Sequence, residues 1–168
     1  MEIFIVGIIV VALMVYASTK MKKFTASAFE RETIETEDFS LIKPEGFLHV
    51  IGDESEFAFY AYSKEFGKVE TEEEMRQAEI FIQTFVGKTL AEVCNGIKTG
   101  AEKVISFSDA KNVRLIETEE TIKDVVVSEI YKIVEDEKIY QLKISVLKDF
   151  KDDYKEQIDE ILRSFQVR

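Results

Sequence analysis

The chain opens with an unbroken apolar run and continues as a segment in which apolar and charged positions are mixed. The run Ile3–Thr19 carries no charge and lies between Glu2 and Lys20. As a helix it would be about 25 Å long, close to the roughly 30 Å hydrocarbon core of a bilayer. The pattern predicts a single N-terminal transmembrane helix (residues 1–23) followed by a water-soluble domain (residues 24–168).

Apolar side chains fill the predicted anchor, and basic residues follow it directly. The anchor side chains are Ile3, Phe4, Ile5, Val6, Ile8, Ile9, Val10, Val11, Leu13, Met14, Val15 and Tyr16. Lys20, Lys22 and Lys23 come next, where we expect them to contact lipid headgroups. Because basic residues beside a span resist translocation, we expect a single-pass membrane protein with its C-terminal domain on the cytoplasmic side. Export, with a periplasmic or luminal domain, is the alternative.

Two other interpretations of this run stay open. Val15-Tyr16-Ala17 would suit signal-peptide cleavage, although Glu2 stands where a signal peptide carries basic residues. A buried core helix is the other interpretation, and it would need a much larger protein around it.

Short apolar runs separated by turns predict strands after residue 30. The predicted strands are 31–34, 39–42, 48–51, 57–62, 104–107, 113–117, 125–134 and 139–147. The last is the clearest, because apolar and polar positions alternate along it with a period of two: Tyr140, Leu142, Ile144 and Val146 against Gln141, Lys143 and Ser145. The turn at Glu135-Asp136-Glu137 predicts a hairpin between the last two strands.

Two segments carry a helical period. Thr71 and Glu74 have the spacing of a capping box, and an apolar stripe follows them at Met75, Ala78, Ile82, Phe85, Thr89, Val93 and Ile97. This spacing predicts a long helix over 71–98. A closing helix is predicted over 151–165. With adjacent strands joined by turns, the order predicts an α+β fold, a mainly antiparallel sheet packed with two α-helices in an αβα sandwich.

Charge narrows the classes of partner. The chain has 22 basic and 33 acidic residues, a formal net charge of −11. Phosphate backbones repel such a protein, so we expect no nucleic-acid partner. Acidic clusters at 70–74, 117–120 and 135–137 are expected to be solvated turns and helix starts. The single Cys94 cannot form an intramolecular disulfide, which suits a reducing compartment.

No motif predicts catalysis, a cofactor or a metal. Gly87-Lys88-Thr89 matches the end of a phosphate loop, but Ile82 stands where that loop needs its first glycine. His49 is the only histidine and is expected to be structural or solvent-facing. Cys94 is expected to be a small core residue. The acidic residues at 149, 152 and 153 lack the spacing of a calcium loop.

Three local features resemble the PsbP/Mog1-like family. The strand and turn Phe39-Ser40-Leu41-Ile42-Lys43-Pro44-Glu45-Gly46-Phe47 is similar to an early strand of that family. Ile139-Tyr140-Gln141-Leu142 is similar to a late strand, and Ile161-Leu162-Arg163-Ser164-Phe165 to the terminal helix. Phe47 stands where the family usually has Trp, and Glu137-Lys138 replace its hairpin glycine. The resemblance implies an antiparallel sheet between helices and a non-catalytic accessory or binding role. Photosystem assembly or stabilisation and small-GTPase binding are two roles of the family.

The sequence therefore predicts a non-catalytic accessory module, held at the lipid bilayer, that docks to protein subunits of a larger membrane complex. The docking surface is expected on an acidic patch or on a sheet face that the helices leave bare. The alternative is a small-ligand carrier or sensor, which an apolar pocket of about 300 Å³ or more between sheet and helix would favour. An enzyme would have to depend on His49 and Cys94.

Overall fold

The computed structural model describes residues 13–16, 27–51, 56–67, 75–97, 103–105, 113–122 and 124–168. Within them, ten strands are formed: β1 (Glu32–Glu35), β2 (Phe39–Lys43), β3 (Phe47–His49), β4 (Phe59–Ser63), β5 (Ala78–Phe85), β6 (Lys103–Ile105), β7 (Val113–Ile122), β8 (Val125–Glu135), β9 (Ile139–Leu147) and β10 (Gln166–Val167). The same residues form helices α1 (Leu90–Gly96) and α2 (Lys155–Ser164), and a 3-10 helix at Lys148–Phe150.

The strands form two antiparallel sheets. The smaller sheet has the order β1-β2-β10, and the larger has the order β3-β4-β5-β9-β8-β7-β6. The predicted hairpin is confirmed, since β8 pairs with β9 from Val127 opposite Leu147 to Glu135 opposite Ile139. A second tight hairpin joins β7 to β8 at Asp124, whose φ of 66° lies in the left-handed region that Asp tolerates better than most residues.

The main core lies between one face of the larger sheet, the smaller sheet and α2. Alternate residues of β5 and β9 supply its centre, with Ile80, Leu142 and Ile144 fully buried. Helix α2 covers them with Ile158, Ile161 and Phe165, and the Phe165 ring lies 6.1 Å from the ring of Phe39 in β2. Burying side chains of this size contributes about 1.5–3 kcal/mol each. The predicted closing helix is confirmed from residue 155.

One buried lysine and one partly buried lysine complete this side of the molecule. The Nζ of Lys43, which is fully buried, donates to the carbonyl oxygens of Ala28, Glu30 and Phe47 at 3.3, 2.5 and 2.8 Å. These bonds fasten residues 28–30 to the start of β3. Lys132 of β8 donates to the carbonyls of Leu162 and Phe165 at 2.6 and 2.9 Å. Lys132 thereby supplies a cation and two donors to the C-terminal end of α2.

The predicted helix over 71–98 is wrong. Residues 68–74 lie outside the described residues, and the rest of the segment forms strand β5, a turn with Gly87 at φ 74°, and the seven-residue helix α1. Ala78 and Ile82 are four positions apart, a spacing that puts both on one face of a helix and also on one face of a strand. Ile80 lies between them in the sequence and is fully buried together with them. Residues two positions apart share a face in a strand and lie on opposite sides of a helix, so the burial of Ile80 agrees with a strand.

The predicted architecture, a membrane helix followed by an αβα sandwich, is also wrong. The described residues are mostly strand, in two antiparallel sheets, and the helices are short. Among the described residues, no helix has the length and apolar character needed to cross a membrane. This finding contradicts the prediction of a single-pass membrane protein with a cytoplasmic C-terminal domain.

Only part of the predicted anchor can be compared with the structure. Leu13, Met14, Val15 and Tyr16 are helical and exposed. The other anchor residues and Lys20, Lys22 and Lys23 lie outside the described residues, so the domain division at residue 23 stays a prediction.

Candidate functional site

The other face of the larger sheet, opposite the main core, carries an open cleft of about 540 Å³. Strands β5, β8 and β9 form its floor, and α1 lies over one side. The residues that line the cleft are Phe57, Phe81, Gln83, Phe85, Lys88, Glu92, Val93, Gly96, Ile97, Glu120, Glu129, Tyr131, Gln141 and Lys143.

Helix α1 is positioned by its N-terminal cap and by two apolar residues. The N–H of Thr89 donates to the Glu92 carboxylate at 2.7 Å, and the N–H of Glu92 donates to Thr89 Oγ1 at 3.3 Å, which forms a capping box. The bonds from Thr89 hold the pKa of the Glu92 carboxyl below its usual value. Val93 and Ile97 pack against Tyr131 and Ile133 of β8, so α1 covers the β8 side of the floor.

A network of three side chains crosses the floor. Lys143 of β9 contacts the buried Glu129 of β8 at 2.6 Å, and the Tyr131 hydroxyl donates to the same carboxylate at 2.6 Å. Burial, followed by the bond to Glu129, raises the pKa of Tyr131 far above its ordinary value. Because both carboxylate oxygens have a donor, the charge of Glu129 is compensated locally, and the network forms a rigid polar centre.

Two glutamines lie beside this network. Gln83 of β5 and Gln141 of β9 are directly opposite each other in the strand register, and both line the cleft. Neither side-chain amide forms a hydrogen bond with any group in the described part of the chain. The floor therefore offers unused hydrogen-bonding groups next to the Glu129–Lys143–Tyr131 network.

Aromatic side chains continue from the cleft across a part of the sheet that no helix of the described residues covers. Phe81 stacks on Tyr60 at a centroid distance of 4.9 Å, and Phe57 lies 4.9 Å from Phe81. The Tyr60 hydroxyl donates to Glu79 at 2.7 Å; burial and this bond raise the pKa of Tyr60 well above its ordinary value. These rings are half-buried, and we call Phe57, Tyr60, Tyr62 and Phe81 the aromatic face.

Most of the residues that the sequence singled out lie elsewhere. His49, on β3, packs its ring 4.6 Å from Phe59, and burial lowers its pKa. Cys94 is a partly buried residue of α1, and burial raises the pKa of its thiol. Neither residue lines the cleft. Across the described ranges, no group of three or more His, Cys, Asp or Glu side chains could hold a metal ion.

The Gly87-Lys88-Thr89 segment lies between strand β5 and helix α1. The prediction had placed it inside the long helix over 71–98. Thr89 is the N-cap of α1, and its N–H already donates to Glu92. Lys88 lines the cleft with its Nζ 4.8 Å from the Phe85 ring centroid. The segment therefore contributes a wall of the cleft.

Sequence reasoning missed the floor residues. Gln141 and Lys143 fall on the polar positions of β9, which predict a solvent-facing row. The available signal lay in β8, where Glu129 and Tyr131 lie two positions apart, on one face of a strand whose other residues are mostly apolar. Pairing β8 with β9 brings the two polar rows together.

Comparison with protein-family models and with curated proteins finds no match to this sequence. Solved structures give a weak likeness at the level of the fold. A structure from Bacteroides thetaiotaomicron VPI-5482 aligns with a TM-score of 0.48 at 12% identity, over 77% of this chain and 45% of that chain. The solution structure of cyanobacterial PsbP from Synechocystis sp. PCC 6803 aligns with a TM-score of 0.39 at 13% identity, over 83% of this chain and 92% of that chain. A weak resemblance to PsbP is thus present, and it assigns neither a family nor a function.

Proposed function

We propose that this chain is a non-catalytic binding module that takes up a small molecule in the cleft between α1 and the larger sheet. The cleft itself is the observation that carries the proposal. Its volume of about 540 Å³ lies within the roughly 300–1,000 Å³ typical of small-molecule sites. Aromatic walls with a few convergent polar groups are the usual lining of such sites.

The polar groups of the floor suit binding better than catalysis. Lys143 and Tyr131 each bond to Glu129, so none of the three is an unpaired acid or base. His49 and Cys94, the side chains on which an enzyme would depend, do not line the cleft. A carrier or sensor needs only the shape and hydrogen-bonding capacity that this floor provides.

A variant that fills the cleft tests the proposal. A Cβ added at Gly96 meets no atom of the described residues within 4 Å, so Gly96→Leu adds a side chain at the cleft wall where these residues leave space for it. In a fragment screen followed by ligand-observed NMR, we expect bound fragments whose signal is lost in Gly96→Leu. Ala91→Leu, at an exposed position of the same helix, is the matched control and should bind as the parent does. Fragments that bind both variants equally would contradict uptake in the cleft.

The aromatic face supports a second candidate function, that of an accessory subunit docking to another protein. Arg76 lies 4.2 Å from the Tyr62 ring centroid and 3.7 Å from that of Phe66. Tyrosine and arginine are the residues most enriched at the energetic centres of protein interfaces. A sheet face that helices leave bare was one of the two surfaces predicted for docking, beside an acidic patch, and the aromatic face is the candidate of the first kind.

Site-specific crosslinking separates the two functions. A photoreactive residue at position 62 should give a discrete covalent adduct in cells if the aromatic face docks a protein. The same residue at position 156, exposed on α2, is the control. Equal labelling at both positions would reject the accessory interaction and leave small-molecule uptake in place.

A further inference from the structure

We propose that the ligand of the cleft is an uncharged planar heterocycle with hydrogen-bonding edges, a chemical class that free nucleobases represent. The inference rests on the proposed function and goes beyond it by naming the ligand class. Three observations carry it: two adjacent glutamines without a side-chain partner among the described residues, the rings beside them, and charges that disfavour ionic ligands.

The glutamines supply the hydrogen-bonding groups. As cross-strand partners, Gln83 and Gln141 have Cβ atoms about 5 Å apart. Each side chain offers one carbonyl acceptor and two N–H donors, and none of these is used within the described part of the chain. Two amides side by side match a ring edge on which donors and acceptors alternate. A purely apolar ligand would leave both amides unpaired, at a cost in affinity.

The rings supply the stacking surface. Phe81 precedes Gln83 by two residues and Phe85 follows it by two, so all three side chains lie on one face of β5. All three line the cleft. Aromatic rings stack favourably on planar ligands in offset or edge-to-face arrangements. A flat ligand held by the glutamines would therefore have a phenylalanine on either side along the strand.

The charges disfavour cations. The Lys143 ammonium lies 5.9 Å from the Phe81 ring centroid and 5.7 Å from that of Tyr131. It also forms an ion pair with the Glu129 carboxylate, which is therefore not free to pair with a ligand cation. Lys88 lies over Phe85. The positions that a ligand cation would take above these rings thus already face protein ammonium groups.

Phosphorylated ligands are disfavoured as well. Beside the compensated Glu129–Lys143 pair, the cleft is lined by Glu92, Glu120 and Lys88, and the whole chain carries a net charge of −11. A field of this sign repels the multiple charges of a nucleotide phosphate. The class that remains is neutral and planar.

Titration calorimetry tests this inference with hypoxanthine, inosine monophosphate and phenyltrimethylammonium as probes. We expect hypoxanthine to bind and the two charged probes to bind at least about 10-fold more weakly. Gln83→Met and Gln141→Met keep the side-chain length and remove the amide. Each should weaken hypoxanthine binding about 5- to 10-fold, the loss expected for one neutral hydrogen bond. Gln166→Met, at an exposed position of β10, is the matched control and should have no effect.

Unaltered hypoxanthine affinity in both glutamine variants, with unfolding midpoints equal to the parent's, would overturn the ligand class. So would tighter binding of either charged probe. In both cases, fragments that still depend on an open cleft at Gly96 would leave the proposed function standing. Absence of any cleft-dependent fragment would remove the function and the ligand class together.

Discussion

Single residues in this protein depart from their usual environments where polar groups enter the interior. Lysine is among the residues least often buried, yet Lys43 is fully buried and pairs with three backbone carbonyls. The burial of Lys43 could not be predicted from the sequence, because its acceptors belong to residues 28, 30 and 47, which only the fold brings together. The same holds for Lys132, whose acceptors are some 30 positions away along the chain.

Removal of the Lys43 ammonium should destabilise the fold. In Lys43→Met, three carbonyls lose their donor, and we expect the free energy of unfolding to fall by about 1–3 kcal/mol, as measured by urea denaturation. Lys155→Met, at an exposed position of α2, should change it by less than about 0.5 kcal/mol. Equal effects of the two substitutions would show that the three carbonyls are satisfied without Lys43.

The tyrosines predict how stability depends on pH. Burial is the largest cause that raises the pKa of Tyr60, Tyr131, Tyr140 and Tyr154. The unfolded chain releases these protons at an ordinary pKa of about 10, and the folded chain releases them at higher pH. Stability is therefore fully present below about pH 10 and is lost as the pH rises above it.

Urea unfolding at a series of alkaline pH values, together with the absorbance of tyrosinate, measures this effect. Glu129→Gln removes the carboxylate that bonds Tyr131, so its Tyr131 should ionise at a lower pH than in the parent. A free energy of unfolding that stays constant well above pH 10 would contradict the burial of these hydroxyls.

At the scale of elements, the sequence separates strands from helices only where the period is unambiguous. Strand β9 alternates strictly, and its pairing and boundaries agree with the prediction. The segment that contains β5 is ambiguous, because positions four apart share a face in either structure. Gly87, with its positive φ, marks the break between β5 and α1, but a glycine alone cannot distinguish a turn from a kink.

Truncation of Ile80 tests the strand assignment of β5. In a strand, Ile80 shares the buried face with Ala78 and Ile82, so Ile80→Ala should cost about 2–5 kcal/mol. In a helix it would lie opposite those two residues, and the cost would be small. Val86→Ala, with Val86 78% exposed, should change the unfolding free energy by less than about 0.5 kcal/mol. Similar values for the two variants in urea unfolding would contradict the strand.

Two glycines give a matched test of packing between elements. A Cβ at Gly67 would overlap Cδ1 of Leu147 in β9, whereas one at Gly96 meets no atom of the described part of the chain within 4 Å. Gly67→Ala should therefore lower the free energy of unfolding by about 1–3 kcal/mol. Gly96→Ala should raise it by up to about 1 kcal/mol, because alanine favours a helix over glycine. Thermal melts of the two variants should shift in opposite directions; shifts of the same sign would contradict the close approach of Gly67 to β9.

At the scale of the whole molecule, the two faces of the larger sheet differ: one packs in the main core, and the other carries the cleft. One face is mainly apolar, with Lys132 donating to the end of α2, and it packs on α2 and the smaller sheet. The alternation in β9 predicts the apolar positions of that face correctly. The other face carries the cleft, whose polar residues, apart from Lys88, Glu92 and Glu120, come from β5, β8 and β9. Their convergence depends on β9 lying between β5 and β8, a strand order that local patterns do not contain. The site was therefore not predictable residue by residue.

The most direct measurement of ligand uptake is the change in backbone amide chemical shifts when the tightest fragment of the screen is titrated into the isotope-labelled chain. Binding in the cleft predicts the largest changes in α1 and at the central residues of β5 and β9, near Gln83 and Gln141. Changes centred on α2 or on the smaller sheet, or a screen with no bound fragment, would contradict it.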